Sequence, residues 1–207
     1  MFVATRESGP IQTNSYLLAD DNKNAVIIDA PLGILDLFVP IIEENNLNLQ
    51  ALLLTHSHWD HMLDAKKIVD RYQIPLFVHQ LDAYRLNEPN KHTVFQLPFT
   101  IEAVAEQQYV DDGECLKFGD IEIDILHTPG HTEGGVCYVL KNENIIFSGD
   151  TLFRESIGRA DLPGASLSQL LHSIRTKIIN LSPNYKVLSG HGPATTIEHE
   201  IHNNPFI

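Results

Sequence analysis

Residues 52–64 read LLLTHSHWDHMLD, and His56, His58, Asp60 and His61 fall within six positions of one another. Charged and imidazole groups are costly to bury unpaired, so such a cluster at the end of an apolar run calls for a compensating partner. The same residue types recur after other apolar runs: Asp29 closes AVIID, His131 lies in TPGHTEGG, Asp150 in SGDTLF and His191 in LSGHGPATT. Five histidines (56, 58, 61, 131 and 191) and two carboxylates (Asp60, Asp150) make seven donors. One zinc ion takes three or four protein ligands, so seven suit two metals that share a carboxylate. Imidazole and carboxylate without thiolate suit Zn2+, and also iron or manganese. Two such ions about 3.5 Å apart can hold a hydroxide that is available at neutral pH.

The elements that must position these residues are short. Apolar runs at 15–19, 25–29, 51–55, 75–79, 121–126, 135–140, 145–149 and 186–190 have strand length and end at Gly, Asp, Pro or a turn. IEIDI alternates cleanly, which predicts a strand with one wet face. Helical spacing predicts helices over 32–46, with Pro40 kinking or splitting the first, and over 63–73, 166–181 and 196–203. Ser166 and Gln169 have capping-box spacing at the start of the third. The stretch 85–112 is the least regular and reads as an insertion. Strands and helices mix in both halves, so the expected fold class is α/β, two packed sheets with helices outside. Loops held by a rigid sheet are a common place for function.

Composition narrows the function classes. The 207 residues carry a net charge of −13 with neutral histidines, which repels phosphate backbones and disfavours nucleic acid as a partner. Cys115 and Cys137 have no C-x-x-C spacing and are expected to be reduced thiols. The N-terminal MFVATRESGPIQTNS has no basic start followed by an apolar run, so no signal peptide is expected. No apolar stretch reaches spanning length. A cytoplasmic location without a membrane partner is the expectation.

The ordered blocks H-x-H-x-D-H, G-H-T, G-D-T and G-H-G, spread over about residues 15–205, resemble the metallo-β-lactamase superfamily. The resemblance implies an αββα four-layer sandwich, two mixed β-sheets flanked by helices, forming a single domain over 1–207. It implies that His56, His58 and His131 bind a first metal, that Asp60, His61 and His191 bind a second, and that Asp150 bridges them. Asp60 and Asp150 would be the catalytic carboxylates. Asp29 resembles the family's acid that orients the histidine loop.

The segments GDTLFRESIGRADLPGAS and SGHGPATTIEHEIHNNPFI resemble the short glyoxalase II-like branch, relatives of hydroxyacylglutathione hydrolase. This implies a thioesterase in which a metal-bridging hydroxide attacks S-lactoylglutathione or a related thioester. Only 16 residues follow His191, so the separate C-terminal domain that helps longer glyoxalase II enzymes bind glutathione is expected to be missing. Arg154 and Arg159 are the nearest candidates for a substrate carboxylate, with a local partner, Asp161 or a loop carbonyl, as the alternative role for Arg159. Trp59 either packs beneath the metal loop or lines the substrate mouth. His79, His92, His127, His172, His199 and His202 receive no metal role.

Two alternatives come from other classes. One is a glutathione persulfide dioxygenase with a single iron held by His56, His131 and Asp150. The other is a metal-binding sensor or scaffold without catalysis. A β-lactamase is disfavoured by the missing export signal, and a nuclease by the acidic charge.

Overall fold

The computed structural model describes residues 1–207. In chain order the strands are β1 Phe2–Ser8, β2 Thr13–Ala19, β3 Asn24–Ile28, β4 Asn48–Leu53, β5 Leu76–His79, β6 Gln108–Val110, β7 Cys115–Phe118, β8 Ile121–His127, β9 Val136–Leu140, β10 Ile145–Gly149, β11 Leu152–Phe153, β12 Ser156–Ile157, β13 Lys186–Ser189 and β14 Thr195–Thr196. The helices are α1 Ile34–Glu44, α2 Trp59–Met62, α3 Ala65–Tyr72, α4 Ala83–Asn87, α5 Pro89–His92, α6 Leu167–Ser173 and α7 Ile197–Asn203. One six-stranded sheet runs β1-β2-β3-β4-β5-β6 and the other β14-β13-β10-β9-β8-β7. Both are mixed, because β3 to β6 pair in parallel, as do β10 and β13, while the other pairs are antiparallel. No helix is long and apolar enough to cross a membrane.

Side-chain alternation builds four layers from these strands. In the first sheet Tyr16, Leu18, Val26, Ile28, Ala51 and Leu53 point to the middle and meet Ile121, Ile123, Ile125, Tyr138 and Phe147 of the second. The intervening Leu17, Ala19, Ile27 and Leu52 point outward to Phe38 of α1 and Ile68 of α3. Outside the second sheet, Val139, Ile146 and Val187 pack against Leu170, Ile174 and Ile178. Strands buried on both faces read as unbroken apolar runs, which is why SYLLA, AVIID and ALLLT stand out in the sequence. IEIDI fits its expected wet face, with Ile121, Ile123 and Ile125 inside and Glu122 exposed.

Two local expectations need correction. Pro40 does not split the first helix, which runs unbroken as α1 over Ile34–Glu44. It lies on the exposed face, where water can serve the carbonyl that loses its partner. The helix expected over 166–181 is α6, capped by Ser166 accepting from Gln169 N, followed by a π turn over 174–178. Within 85–112 the structure forms α5, β6 and the end of α4. Both cysteines are free, Cys115 exposed and Cys137 buried.

The topology brings five strand ends to one edge. β3 and β4 run parallel, as do β10 and β13, and β8 shares the direction of β10 because both are antiparallel to β9. Asp29, the 56–61 loop, His131, Asp150 and His191 follow these strands in turn. Ligand sites commonly form at the carboxyl ends of such strands. Hydrogen bonds tie the two sheets together here: Val136 N donates to Thr55 O (2.8 Å), Tyr138 Oη to Leu54 O (2.9 Å) and Tyr16 Oη to Ser189 O (2.6 Å).

Candidate metal centre

The seven donors converge on this edge. His56, His58 and His131 form one group, and Asp60, His61 and His191 a second, with the donor atoms of each group within 4.8 Å of one another. Asp150 touches both: Oδ1 lies 3.3 Å from His61 Nε2, and Oδ2 lies 3.5 Å from His131 Nε2 and 3.6 Å from His191 Nε2. His56 Nε2, His61 Nε2 and Asp150 Oδ1 are buried without a hydrogen-bond partner. Orphaned polar atoms of this kind carry a desolvation cost of about 1–3 kcal/mol each. His58 Nδ1 and His131 Nε2 face each other at 2.8 Å. Two imidazole nitrogens can share that contact only through a proton, or each can turn its lone pair to a cation. The donor set and its orphaned atoms therefore fit divalent metal ions.

Close approach of the backbone is built in. A side chain on Gly190 would collide with Asp150 Oδ1 and the His61 ring, so only glycine fits beside the donors. Asp29, at φ 61°, accepts Thr55 N (2.8 Å) and Thr55 Oγ1 (2.8 Å) and lies 2.9 Å from His61 Nδ1. This contact aims His61 Nε2 at Asp60 and Asp150. His131 Nδ1 meets Arg159 O at 2.8 Å, and His191 Nδ1 meets Gln12 O at 3.3 Å. Such contacts to the far ring nitrogen set the tautomer of a ligand histidine.

The two donor groups differ in charge. Burial, and then the neighbouring His131, press the His58 ring down to about 3. Burial, and then His61, hold His56 well below its ordinary value. For His61 burial acts in the same sense, but Asp60, Asp29 and Asp150 outweigh it and raise the ring well above its ordinary value. His191 is also raised, because its hydrogen bond to Asp60 and the charge of Asp150 overcome burial. The surroundings of rings 56 and 58 therefore favour the neutral form, and those of 61 and 191 the protonated form. A raised pKa means that the proton must leave before the lone pair can bind. Zinc uptake at Asp60–His61–His191 is therefore expected to release protons and to weaken as pH falls from 8 to 6. His56 and His58 themselves should contribute little to proton release over that range. Calorimetry of the metal-free protein in buffers of different ionisation enthalpy checks this; two binding events with equal proton release would contradict it.

Several residues of this edge carry no sequence signal. Thr13 Oγ1 donates to Asp60 Oδ2 (3.0 Å), and Asn14 Nδ2 donates to Ser189 O (3.0 Å) and Gly192 O (2.9 Å). Asp82, fully buried, is the larger omission. Its Oδ2 accepts Ser57 N (2.9 Å), and its Oδ1 accepts Gly134 N (2.7 Å) and Arg85 Nη1 (3.0 Å). It thus ties the loop carrying His56 and His58 to the loop carrying His131. Asp82→Asn would set an amide donor against these donors. The expected cost is about 3 kcal/mol of stability, with zinc affinity at the His56–His58–His131 group lowered by roughly 10–100-fold. Thermal melts and zinc titrations check both, and unchanged affinity would remove Asp82 from the support of this group.

An open cavity of about 740 Å³ stands over the donors, with His58, Asp60, His131, Asp150 and His191 in its lining. Arg159 also lines it, but its guanidinium is held by both oxygens of Asp161 (2.7 and 2.9 Å). Arg154 lies outside this cavity, in a shallow neighbouring depression beside Glu155. Trp59 does both things expected of it: it rests on the outer core of the first sheet and lines the cavity. His127 faces away from the donors, with Nε2 2.9 Å from Glu133 O and its ring stacked on His79.

The family model for the metallo-beta-lactamase superfamily matches residues 8–191. Hydroxyacylglutathione hydrolase GloC of Haemophilus influenzae is 36% identical over 198 residues, which cover 95% of this chain and 93% of that protein. Among solved structures, BLEG-1 B3 metallo-beta-lactamase is similar at 37% identity with a TM-score of 0.91, covering 99% of both chains. TTHA1623 in a di-iron-bound form is similar at 32% identity with a TM-score of 0.88, covering 99% of this chain and 100% of that one.

Proposed function

Because the chain belongs to the metallo-beta-lactamase superfamily, we propose that it is a metal-dependent thioester hydrolase of the glyoxalase II type, acting on S-lactoylglutathione or a related thioester. The observation that carries this reading is the pair of adjoining donor groups, joined by Asp150, at the base of an open cavity sized for a small molecule. The likeness to GloC along nearly the whole of both chains supports the thioester.

His56, His58 and His131 would hold one metal, Asp60, His61 and His191 the other, and Asp150 would serve both. When bound, the metals, most simply Zn2+ with iron or manganese as the other candidates, supply Lewis acidity and a water acidic enough to lose its proton near neutral pH. The protein's part is placement. Thr13 fixes the Asp60 carboxylate, which orients the attacking water. Asp29 fixes His61. In the reaction one water adds to the carbonyl carbon, the C–S bond breaks, and the products are a carboxylate and a thiol.

The likeness to BLEG-1 favours β-lactam hydrolysis as a second reading. Initial rates on S-lactoylglutathione, an uncharged thioester, a chromogenic β-lactam, and glutathione persulfide with oxygen separate the possibilities. Thioester turnover at kcat/KM at least about tenfold above the β-lactam, abolished by chelation, is expected. Turnover of persulfide by iron-loaded protein without any thioester hydrolysis would overturn the proposal in favour of a dioxygenase.

A further inference from the structure

The cavity is uneven in chemistry. Its two arginines are already engaged: Arg85 with Asp82 (3.0 Å) and Glu133 (2.6 Å), Arg159 with Asp161. No lysine lines it, and the chain as a whole is strongly acidic. A polyanionic ligand therefore finds no free cationic side chain there. The apolar side chains of the lining are the ones left unmatched: Ile11, Val94 and Phe95 are 48%, 55% and 45% exposed.

Val94 and Phe95 sit on a segment made to hold them there. The Asn90 side chain closes its base, with Nδ2 donating to Ile101 O (2.8 Å) and Oδ1 accepting Ile101 N (2.9 Å). Leu97 and Phe99 anchor it inward on the core. The tip leans toward the metal edge, and the Phe95 ring meets Trp59 edge-on with centroids 6.4 Å apart. Trp59 lies between His58 and Asp60 in sequence, so this apolar wall is continuous with the donors. Large apolar side chains gathered in the open beside a site are the informative kind of exposure.

We propose that the site selects thioesters carrying an apolar acyl chain, seated against Trp59, Val94 and Phe95. This rests on the thioester reading above and names the substrate class within it. The thiol halves of biological thioesters are peptide-like or phosphate-bearing, hence polar and anionic. The half that suits this wall is the acyl chain, which extends from the carbonyl at the metal edge.

Two measurements on zinc-loaded protein test it. In the first, kcat/KM is followed for acetyl to octanoyl esters of one uncharged thiol. It is expected to rise about fourfold per methylene until the wall is covered. Phe95→Ser and Val94→Ser should flatten that slope, whereas Ile201→Ser, exposed and outside the cavity, should keep it. In the second, the fluorescence of Trp59, the chain's single tryptophan, is titrated with a non-hydrolysable octyl thioether and its ethyl counterpart. The octyl compound is expected to bind at least tenfold more tightly. Hydrolysis without chain-length dependence would overturn the acyl proposal and leave the thioesterase reading standing. Absence of all thioester turnover would sink the thioesterase reading, and the fluorescence titration would still decide whether the wall binds an apolar chain.

Discussion

Asp150→Ala is expected to lower kcat/KM by about 10³-fold, a loss of about 4 kcal/mol of transition-state stabilisation, and by more than any single histidine substitution. The reason is geometric. Each histidine belongs to one donor group or the other, or touches the second only at its border, whereas Asp150 lies 3.3–3.6 Å from His61, His131 and His191 together. Its loss removes a donor from both groups, frees their spacing and leaves excess positive charge in the loaded site. Losing a residue that only supports a ligand costs about 10–100-fold, so a carboxylate serving two ions should exceed that. Although burial favours its neutral form, the charge of His61 and then the nearby His131 and His191 hold Asp150 below the ordinary carboxylate range. Steady-state rates for Asp150→Ala beside His56→Ala and His191→Ala decide the ranking. A near-normal kcat for the Asp150 variant would remove the shared carboxylate from the mechanism.

Removing metal should abolish hydrolysis and lower the melting temperature, and restoration should need two equivalents of zinc per chain. Without cations, His56 Nε2, His61 Nε2 and Asp150 Oδ1 are buried with nothing to bond. A ligand present at about 100 times its Kd adds about 2.7 kcal/mol to stability. For a chain of this size that corresponds to roughly 5–11 °C for each filled site. Elemental analysis and thermal melts across a zinc titration check the stoichiometry. Saturation at one equivalent, with full activity and no second thermal step, would sink the two-metal arrangement and favour the single-iron alternative at His56, His131 and Asp150.

Legibility varied along the chain for physical reasons. The strands buried on both faces were plain, because double burial demands uninterrupted apolar residues. β1 (FVATRES) and β7 (CLKF) were not expected: both are edge strands, largely exposed; the polar residues of the first resemble a loop, and the second is only four residues long. β11, β12 and β14, of two residues each, are too short to hold a period. Pro40 misled because a helix tolerates proline on its wet face, and wetness is not a property of the residue itself.

The inventory was legible in the residues alone: which side chains could bind metal, that they follow strands, and the superfamily and fold. Donor type and adjacency to a strand are local properties, written within a few residues of each other. What stands beside what came from the packing of segments far apart in the chain. Asp29 meets His61, Thr13 meets Asp60, Asp82 joins Ser57 to Gly134, and Asn14 reaches Ser189 across 175 positions of chain. It placed Arg159 on Asp161 and left Val94 and Phe95 open beside Trp59. These are distances set by the packing of two sheets and the closing of loops over their edge. No residue's identity encodes them, because the same Asp, Arg or Phe in another register would face solvent or the core.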